Sequence, residues 1–167
     1  MKVYFLRHGD AGDRHHWEGD DSLRPLTKQG EGQITALASA VRGLVPPSPI
    51  LTSPYLRAHR TAALFATGIA TGIGAATEPL VDKRLAPGFG REYLGEILQE
   101  YRNEDAILLV GHEPDFSRLI ARLIQGGSLV LKKGGLARVD WNPVSGEGEL
   151  EWLFPPAIFR PESDSPV

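Results

Sequence analysis

The chain contains no cysteine. Disulfides, thiolate nucleophiles and cysteine-ligated zinc or iron-sulfur sites are therefore excluded, in keeping with an expected cytoplasmic location. An excess of positive charge is also missing, because 18 Lys and Arg stand against 21 Asp and Glu, giving a formal charge of -3. Nucleic acid is accordingly not an expected partner, although a local basic pocket would not show in the sum. The longest uncharged stretch, residues 61–77, is rich in Ala, Thr and Gly and has few large apolar side chains. A spanning helix needs about 20 predominantly apolar residues, so this stretch reads as a helix end followed by a Gly-punctuated loop, and no membrane contact is expected. The apolar run Val3-Tyr4-Phe5-Leu6 is stopped at Arg7, too short for a signal-peptide core, and export is not expected. No Gly-rich dinucleotide or P-loop string follows any apolar run, which disfavours a plain nucleotide-binding domain.

What is present is an ordinary globular composition, 41% hydrophobic and 23% charged over 167 residues. That length suits one domain, expected over 1–160, and the Pro- and Ser-rich tail after Pro155 reads as loose, above all at 161–167. Along the chain, strand and helix patterns alternate. Val3-Tyr4-Phe5-Leu6 is a strand. Ile34, Leu37, Ala38, Val41, Leu44 and Val45 then repeat at helical spacing after Thr27, a good N-cap, until Pro46-Pro47. Ile50-Leu51-Thr52 is a second strand, and Ser53-Pro54 reads as N-cap and first-turn proline of a helix from about Tyr55 to Ile69.

Residues 91–103 carry a weaker helical pattern interrupted by Gly95. Ala106-Ile107-Leu108-Leu109-Val110 has the continuous apolar character of a parallel strand covered on both faces. Phe116, Leu119, Ile120, Leu123 and Ile124 mark one face of a helix opened by Pro114 and closed by Gly126-Gly127. Beyond Ser128, three short alternating segments, Leu129–Leu131, Leu136–Trp141 and Glu149–Phe154, read as peripheral antiparallel strands. The expected fold is α/β, a three-layer α/β/α sandwich with a mostly parallel central sheet and antiparallel strands at its edge.

Such sheets bind ligands beyond the carboxyl ends of their strands. Three of those ends carry cationic or imidazole side chains: Arg7-His8-Gly9 after the first strand, Ser53-Pro54-Tyr55-Leu56-Arg57 after the second, and Gly111-His112 after the central one. Arg-His-Gly alone would be a weak signal. With Arg57 and His112 delivered to the same edge, it reads as a site for an anion with a nucleophile inside it. The loop that follows His8 holds Asp13, His15, His16, Glu18, Asp20 and Asp21, which lack a defined metal-ligand spacing and read as a solvated loop bordering the entrance. Arg24 reads either as a border of the pocket or as a surface residue.

Four strings, Leu6-Arg7-His8-Gly9-Asp10-Ala11, Arg24-Pro25-Leu26-Thr27 with Gly30, Ser53-Pro54-Tyr55-Leu56-Arg57-Ala58 with Thr61, and Val110-Gly111-His112-Glu113-Pro114, occur in this order. Together they resemble the histidine phosphatase superfamily, and within it the small SixA-type phosphohistidine phosphatases. The resemblance implies a phosphoglycerate mutase-like fold, His8 as a nucleophile that carries the phosphoryl group, and Arg7, Gly9, Arg57 and His112 as the rest of the phosphate pocket. It implies no metal and no other cofactor.

Larger members usually have a general-acid Glu between the second Arg and the second His. Here that region reads Leu85-Ala86-Pro87-Gly88-Phe89-Gly90, without such an acid. A stable phosphate ester would lack an obvious proton donor for its alkoxide, whereas phosphohistidine has a labile bond and an easily protonated leaving group. Glu113 is the foremost candidate donor, with Asp10 and Glu92 behind it. A phosphohistidine protein such as a phosphotransfer domain is the expected partner. A phosphorylated small metabolite is the alternative, and a non-catalytic phosphate-binding module the third reading.

Overall fold

The computed structural model describes residues 1–46, 48–71 and 77–159. Its centre is the pair of apolar runs recognised above, strands β1 (Lys2–Arg7) and β4 (Ala106–Gly111), which lie side by side and parallel, Arg7 opposite Gly111. Between them in sequence come helix α1 (Lys28–Ala40), strand β2 (Ile50–Thr52), helix α2 (Leu56–Ala70), a two-residue strand β3 (Leu80–Val81) and helix α3 (Arg91–Glu100). After β4 follow helix α4 (Asp115–Leu123) and strands β5 (Leu136–Trp141) and β6 (Gly148–Phe154). The six strands run in the order β3-β2-β4-β1-β5-β6; the first four are mutually parallel, β5 adds antiparallel beside β1, and β6 adds antiparallel beside β5.

A strand's side chains point alternately to its two faces, so a continuously apolar strand must bury both. Tyr4 and Leu6 of β1, with Leu108 and Val110 of β4, pack beneath Ile34 and Leu37 of α1 and Ala62 and Phe65 of α2. Val3 and Phe5, with Ile107 and Leu109, pack on the opposite face against Leu94 and Ile97 of α3 and Phe116 and Ile120 of α4. The expected three layers are present, with one pair of helices on each face.

Several boundaries differ from the sequence reading. Helix α1 ends at Ala40 and not at the prolines: Gly43 adopts φ +91, and the chain turns back so that Val41 and Val45 are still buried while Leu44 stays exposed. Apolar spacing thus persisted past the helix because the following turn also faces the core. Ser53 does not cap α2, whose N-cap position is Tyr55; its hydroxyl instead accepts from the Tyr55 amide and reaches His112. Leu129–Leu131 is not a strand. The Leu131 amide donates to the Ser117 hydroxyl and its carbonyl accepts from Arg7, so side chains take the groups a ladder would need. Strand β3 was not foreseen, since two exposed residues carry no pattern. The tail begins in order, with a 3-10 turn at Pro156–Phe159 against α1, whereas its expected loose part, 161–167, and loop residues 72–76 lie outside the described residues.

The start of α1 is fastened to the chain just beyond His8. Thr27 caps the helix by accepting from the Gly30 amide and donates to the Asp10 carboxylate at 3.0 Å, while its own amide bonds the Asp10 carbonyl. Gly30 permits this approach, because a Cβ there would collide with the Asp10 carbonyl. Gly32, one half-turn on, is exposed and would have its Cβ in open space. Gly30→Ala should therefore lower the thermal midpoint by about 2–10 °C, from an overpacking cost of about 1–3 kcal/mol. Gly32→Ala should raise it by up to about 4 °C, the helix-propensity gain of about 1 kcal/mol. Thermal unfolding of the two variants, followed by circular dichroism, checks both signs.

Candidate active site

From β1 the chain leaves towards β2 and the layer of α1 and α2, whereas from β4 it leaves towards β5 and the layer of α4. The two connections diverge in opposite directions, which opens a crevice at the carboxyl ends of β1 and β4. His8 and His112 flank it, their ring centroids 5.2 Å apart. The His8 amide donates to the Gly111 carbonyl, continuing the strand pairing one step past β1, and the His8 carbonyl accepts from Gly134. On the far side of β4, the turn after β2 sets Arg57 on the first turn of α2. Gly9 and α2 are joined through Thr61, whose hydroxyl accepts from the Gly9 amide and donates to the Arg57 carbonyl. A Cβ on Gly9 would press on Gly30 and Ile34 at 3.0 Å, so only glycine fits easily between the crevice and α1.

His8 is buried, with 6% of its surface exposed. Its Nδ1 lies 2.8 Å from the Gly9 carbonyl, which can only accept, so the hydrogen is assigned to Nδ1 and the lone pair to Nε2. Arg57 Nε donates to that Nε2 at 3.2 Å. Burial is the main force holding the imidazole pKa well below its ordinary 6.5; the Gly9 bond opposes it, and His112, Arg57 and Arg7 add repulsion. The ring is therefore neutral near pH 7, and its one lone pair, on Nε2 at the crevice, is held by the Arg57 hydrogen bond.

His112 is buried beside it and pairs through Nε2 with the Ser53 hydroxyl at 2.8 Å. Burial first, and then the charge of Arg57, push its pKa down to about 3. The Ser53 hydroxyl already accepts from the Tyr55 amide, so it is assigned as the donor to Nε2, which puts the ring hydrogen on Nδ1, an atom without a partner among the described residues. Arg7 donates from Nη1 to the Leu131 carbonyl at 2.9 Å, and its Nε is likewise buried without a partner among the described residues. Buried donors of this kind are rare, and both belong to residues lining one cleft.

That cleft has a volume of about 650 Å³, within the range of small-ligand sites. Five cations, Arg7, Arg14, Arg24, Arg57 and Lys133, face four carboxylates, Asp10, Asp13, Asp21 and Glu113. Of the residues expected from sequence, Arg7, His8, Arg57 and His112 all line it, and Gly9 supplies backbone beside them. Glu113 lines it too, but one of its carboxylate oxygens accepts from the Ser117 amide at 3.1 Å and so caps α4. Asp10 is tied to Lys133 at 2.6 Å. Burial opposes its charge, yet the bonds from Lys133 and Thr27 hold the carboxyl below the ordinary range. Glu92 is exposed on α3, away from the cleft. The segment without an acid does border the site, through Pro87, and is held there by Gly88 donating to Asp115 at 2.7 Å.

Sequence reasoning undervalued three residues. Arg24 is not on the surface: it is 7% exposed, donating to the carbonyls of Ala11 and Gly12 and to Asp21. Asp21 turns in from the otherwise exposed loop to accept from both Arg24 and Arg57. A signal for this pair was the acid three residues before Arg24, within reach across one tight turn. Lys133 had no comparable mark apart from Gly134-Gly135, which bring the chain back to Arg7 and His8. Among the described residues no group of His, Asp and Glu is arranged to hold a metal ion, and no helix is long and apolar enough to cross a membrane.

A model of the histidine phosphatase superfamily, branch 1, matches residues 3–86, which include His8 and Arg57. A protein of Picosynechococcus sp. described only as uncharacterized is 38% identical over 81% of this chain and 82% of its own. The solved structure of the protein histidine phosphatase SixA complexed with tungstate superimposes with a TM-score of 0.83 at 26% identity, covering 96% of this chain and all of that one. The alpha-ribazole phosphatase from Shigella flexneri shares the fold at a TM-score of 0.72 and 19% identity, over 93% of this chain and 97% of its own. The fold is thus the phosphoglycerate mutase-like one of these neighbours, and the chain belongs to branch 1 of the histidine phosphatase superfamily.

Proposed function

We propose that the protein is a metal-independent phosphatase that works through a phosphoryl group carried on His8, and that its substrate is phosphohistidine in a protein. The observation that carries the mechanism is the state of His8: neutral, held through Nδ1 by the Gly9 carbonyl, with Nε2 at the cleft accepting only from Arg57 Nε, a bond that Arg57 gives up as it turns to the phosphoryl oxygens. Nε2 attacks phosphorus in line, the bond to the leaving group breaks, and the phosphoryl group is left on His8. Water then attacks that phosphorus, releasing inorganic phosphate and restoring the ring. Arg7 and Arg57 balance charge on the phosphoryl oxygens, and the unpartnered donors of Arg7 and His112 add hydrogen bonds. Arginine charge thereby supplies what a metal ion does in other phosphoryl-transfer sites.

The choice of phosphohistidine is supported by how the carboxylates of the cleft are used. Asp10 is occupied by Lys133, Asp21 by Arg24 and Arg57, and Glu113 by the Ser117 amide; Asp13 caps a 3-10 turn through the His15 amide. Each accepts at least one hydrogen bond, Glu113 through one oxygen alone, and Pro87 borders the cleft from the segment that lacks an acid. A leaving imidazole makes the smallest demand on such a site. The likeness to SixA, named a protein histidine phosphatase, agrees with it. A small-molecule phosphomonoesterase is the second reading, favoured by a cleft volume that suits a metabolite and by the fold shared with an alpha-ribazole phosphatase.

Incubation with a phosphohistidine protein and with a panel of phosphomonoesters tests both. The wild type should turn over phosphohistidine fastest, and His8→Ala should lose at least about a thousandfold in kcat, as nucleophile deletions do. Equal turnover by both proteins would overturn the mechanism, and faster turnover of an ester would select the second reading. Glu113→Gln should keep phosphohistidine turnover within about threefold; a loss of about a hundredfold or more would make Glu113 the general acid instead. Nitrogen NMR of the imidazoles between pH 8 and 5 should find His112 neutral throughout, its pKa being pushed down to about 3, and His8 neutral through pH 6.5, because burial lowers its pKa. Protonation of His8 near pH 6.5 would contradict its poised state.

A further inference from the structure

Arg57 faces two ways. Its Nε donates to His8, while Nη1 donates to the Asp21 carbonyl at 2.7 Å and Nη2 to the Asp21 carboxylate at 3.0 Å. The same carboxylate accepts from Arg24 Nε at 2.9 Å and has Arg14 at 3.9 Å, so three guanidinium groups surround it. Burial would favour its neutral form, but Arg24 and Arg57 outweigh that and keep it ionised. A carboxylate is therefore already seated on the arginine that an incoming phosphoryl group needs. Like charges sharing one guanidinium repel each other, so the two anions compete.

We propose that Asp21 is a displaceable internal ligand of Arg57, a residue that sets how tightly the cleft holds phosphate. The idea rests on the reading of the cleft as a phosphoryl site. Asp21 keeps Arg57 aimed at His8 in the substrate-free protein, and the phosphoryl group exchanges with it on entry. The anchor for the exchange is Arg24, whose side chain is fixed by the Ala11 and Gly12 carbonyls and can retain Asp21 once Arg57 lets go. Because Arg57 holds the backbone carbonyl as well as the side chain, the turn Asp21–Leu23 must lift with it. That turn buries no residue, and its Leu23 is 61% exposed, so few contacts resist the movement. Trp17, half-exposed, donates from its indole to the carbonyl of Asp20 at 3.0 Å and is wired to the same turn.

Calorimetric titration with inorganic phosphate and Trp17 fluorescence test the proposal together. Asp21→Asn should bind phosphate about two- to fivefold more tightly than wild type, the gain expected when a partly exposed ion pair no longer has to be given up. The KM for substrate should fall in parallel without a rise in kcat. In the wild type, phosphate should change the tryptophan emission, and Trp17→Phe should abolish that change; this readout needs no variant at Asp21. Weaker or equal phosphate binding by a folded Asp21→Asn, or a Trp17 signal that ignores bound phosphate, would overturn the exchange and leave Asp21 as a prop for Arg57. If phosphate bound to neither protein, the phosphoryl-site reading itself would fall.

Discussion

The site depends on one constraint, the parallel pairing of β1 with β4. Arg7 stands opposite Gly111, and the pairing runs one residue further, to the bond between the His8 amide and the Gly111 carbonyl. Both strands are apolar on both faces and are covered by a helix pair on each, so a slip of register would move buried side chains on two faces at once. The relative position of the two imidazoles is set by the most deeply buried part of the molecule. Geometry that a loop could not hold is held by a core.

The electrostatics follow from that burial. Two histidines lie among arginines, where protonation would add charge to an already cationic place, and both remain neutral. The arginines are themselves partly desolvated and are matched by carboxylates placed beside them rather than inside the pair of rings. A cleft of this kind, with five cations against four carboxylates, is close to balance at rest and takes on a further negative group only when a ligand arrives. The proposed function uses this balance, since an anion with several oxygens can meet donors that the protein leaves open on Arg7 and His112.

Much of this was legible in the sequence because it was written in buried runs and in residues at their ends. Val3–Leu6 and Ala106–Val110 announced the two central strands, and the residues immediately after them are the ones found in the cleft. What stayed hidden depended on contacts distant in sequence. Lys133 reaches Asp10 only because β5 adds to the other side of β1, and Asp21 reaches Arg57 only because a short turn folds against α2. Leu129–Leu131 misled for a related reason: alternation reports burial, but Ser117 and Arg7 claimed the backbone that a strand would use. Ser53 looked like a helix cap and is instead the partner of His112, a choice that no local pattern encodes.

The hydroxyl of Thr61 joins two parts of the site that come from different strand ends. It accepts from the amide of Gly9 and donates to the carbonyl of Arg57, so the loop bearing His8 and the first turn of α2 share one oxygen atom. Valine would match its shape and serve neither group, whereas serine would serve both and lose only a methyl. The choice of amino acids open to evolution at position 61 is therefore narrow, although the residue does not line the cleft. A substitution there would loosen the cleft from behind, at a position that a search confined to its walls would pass over.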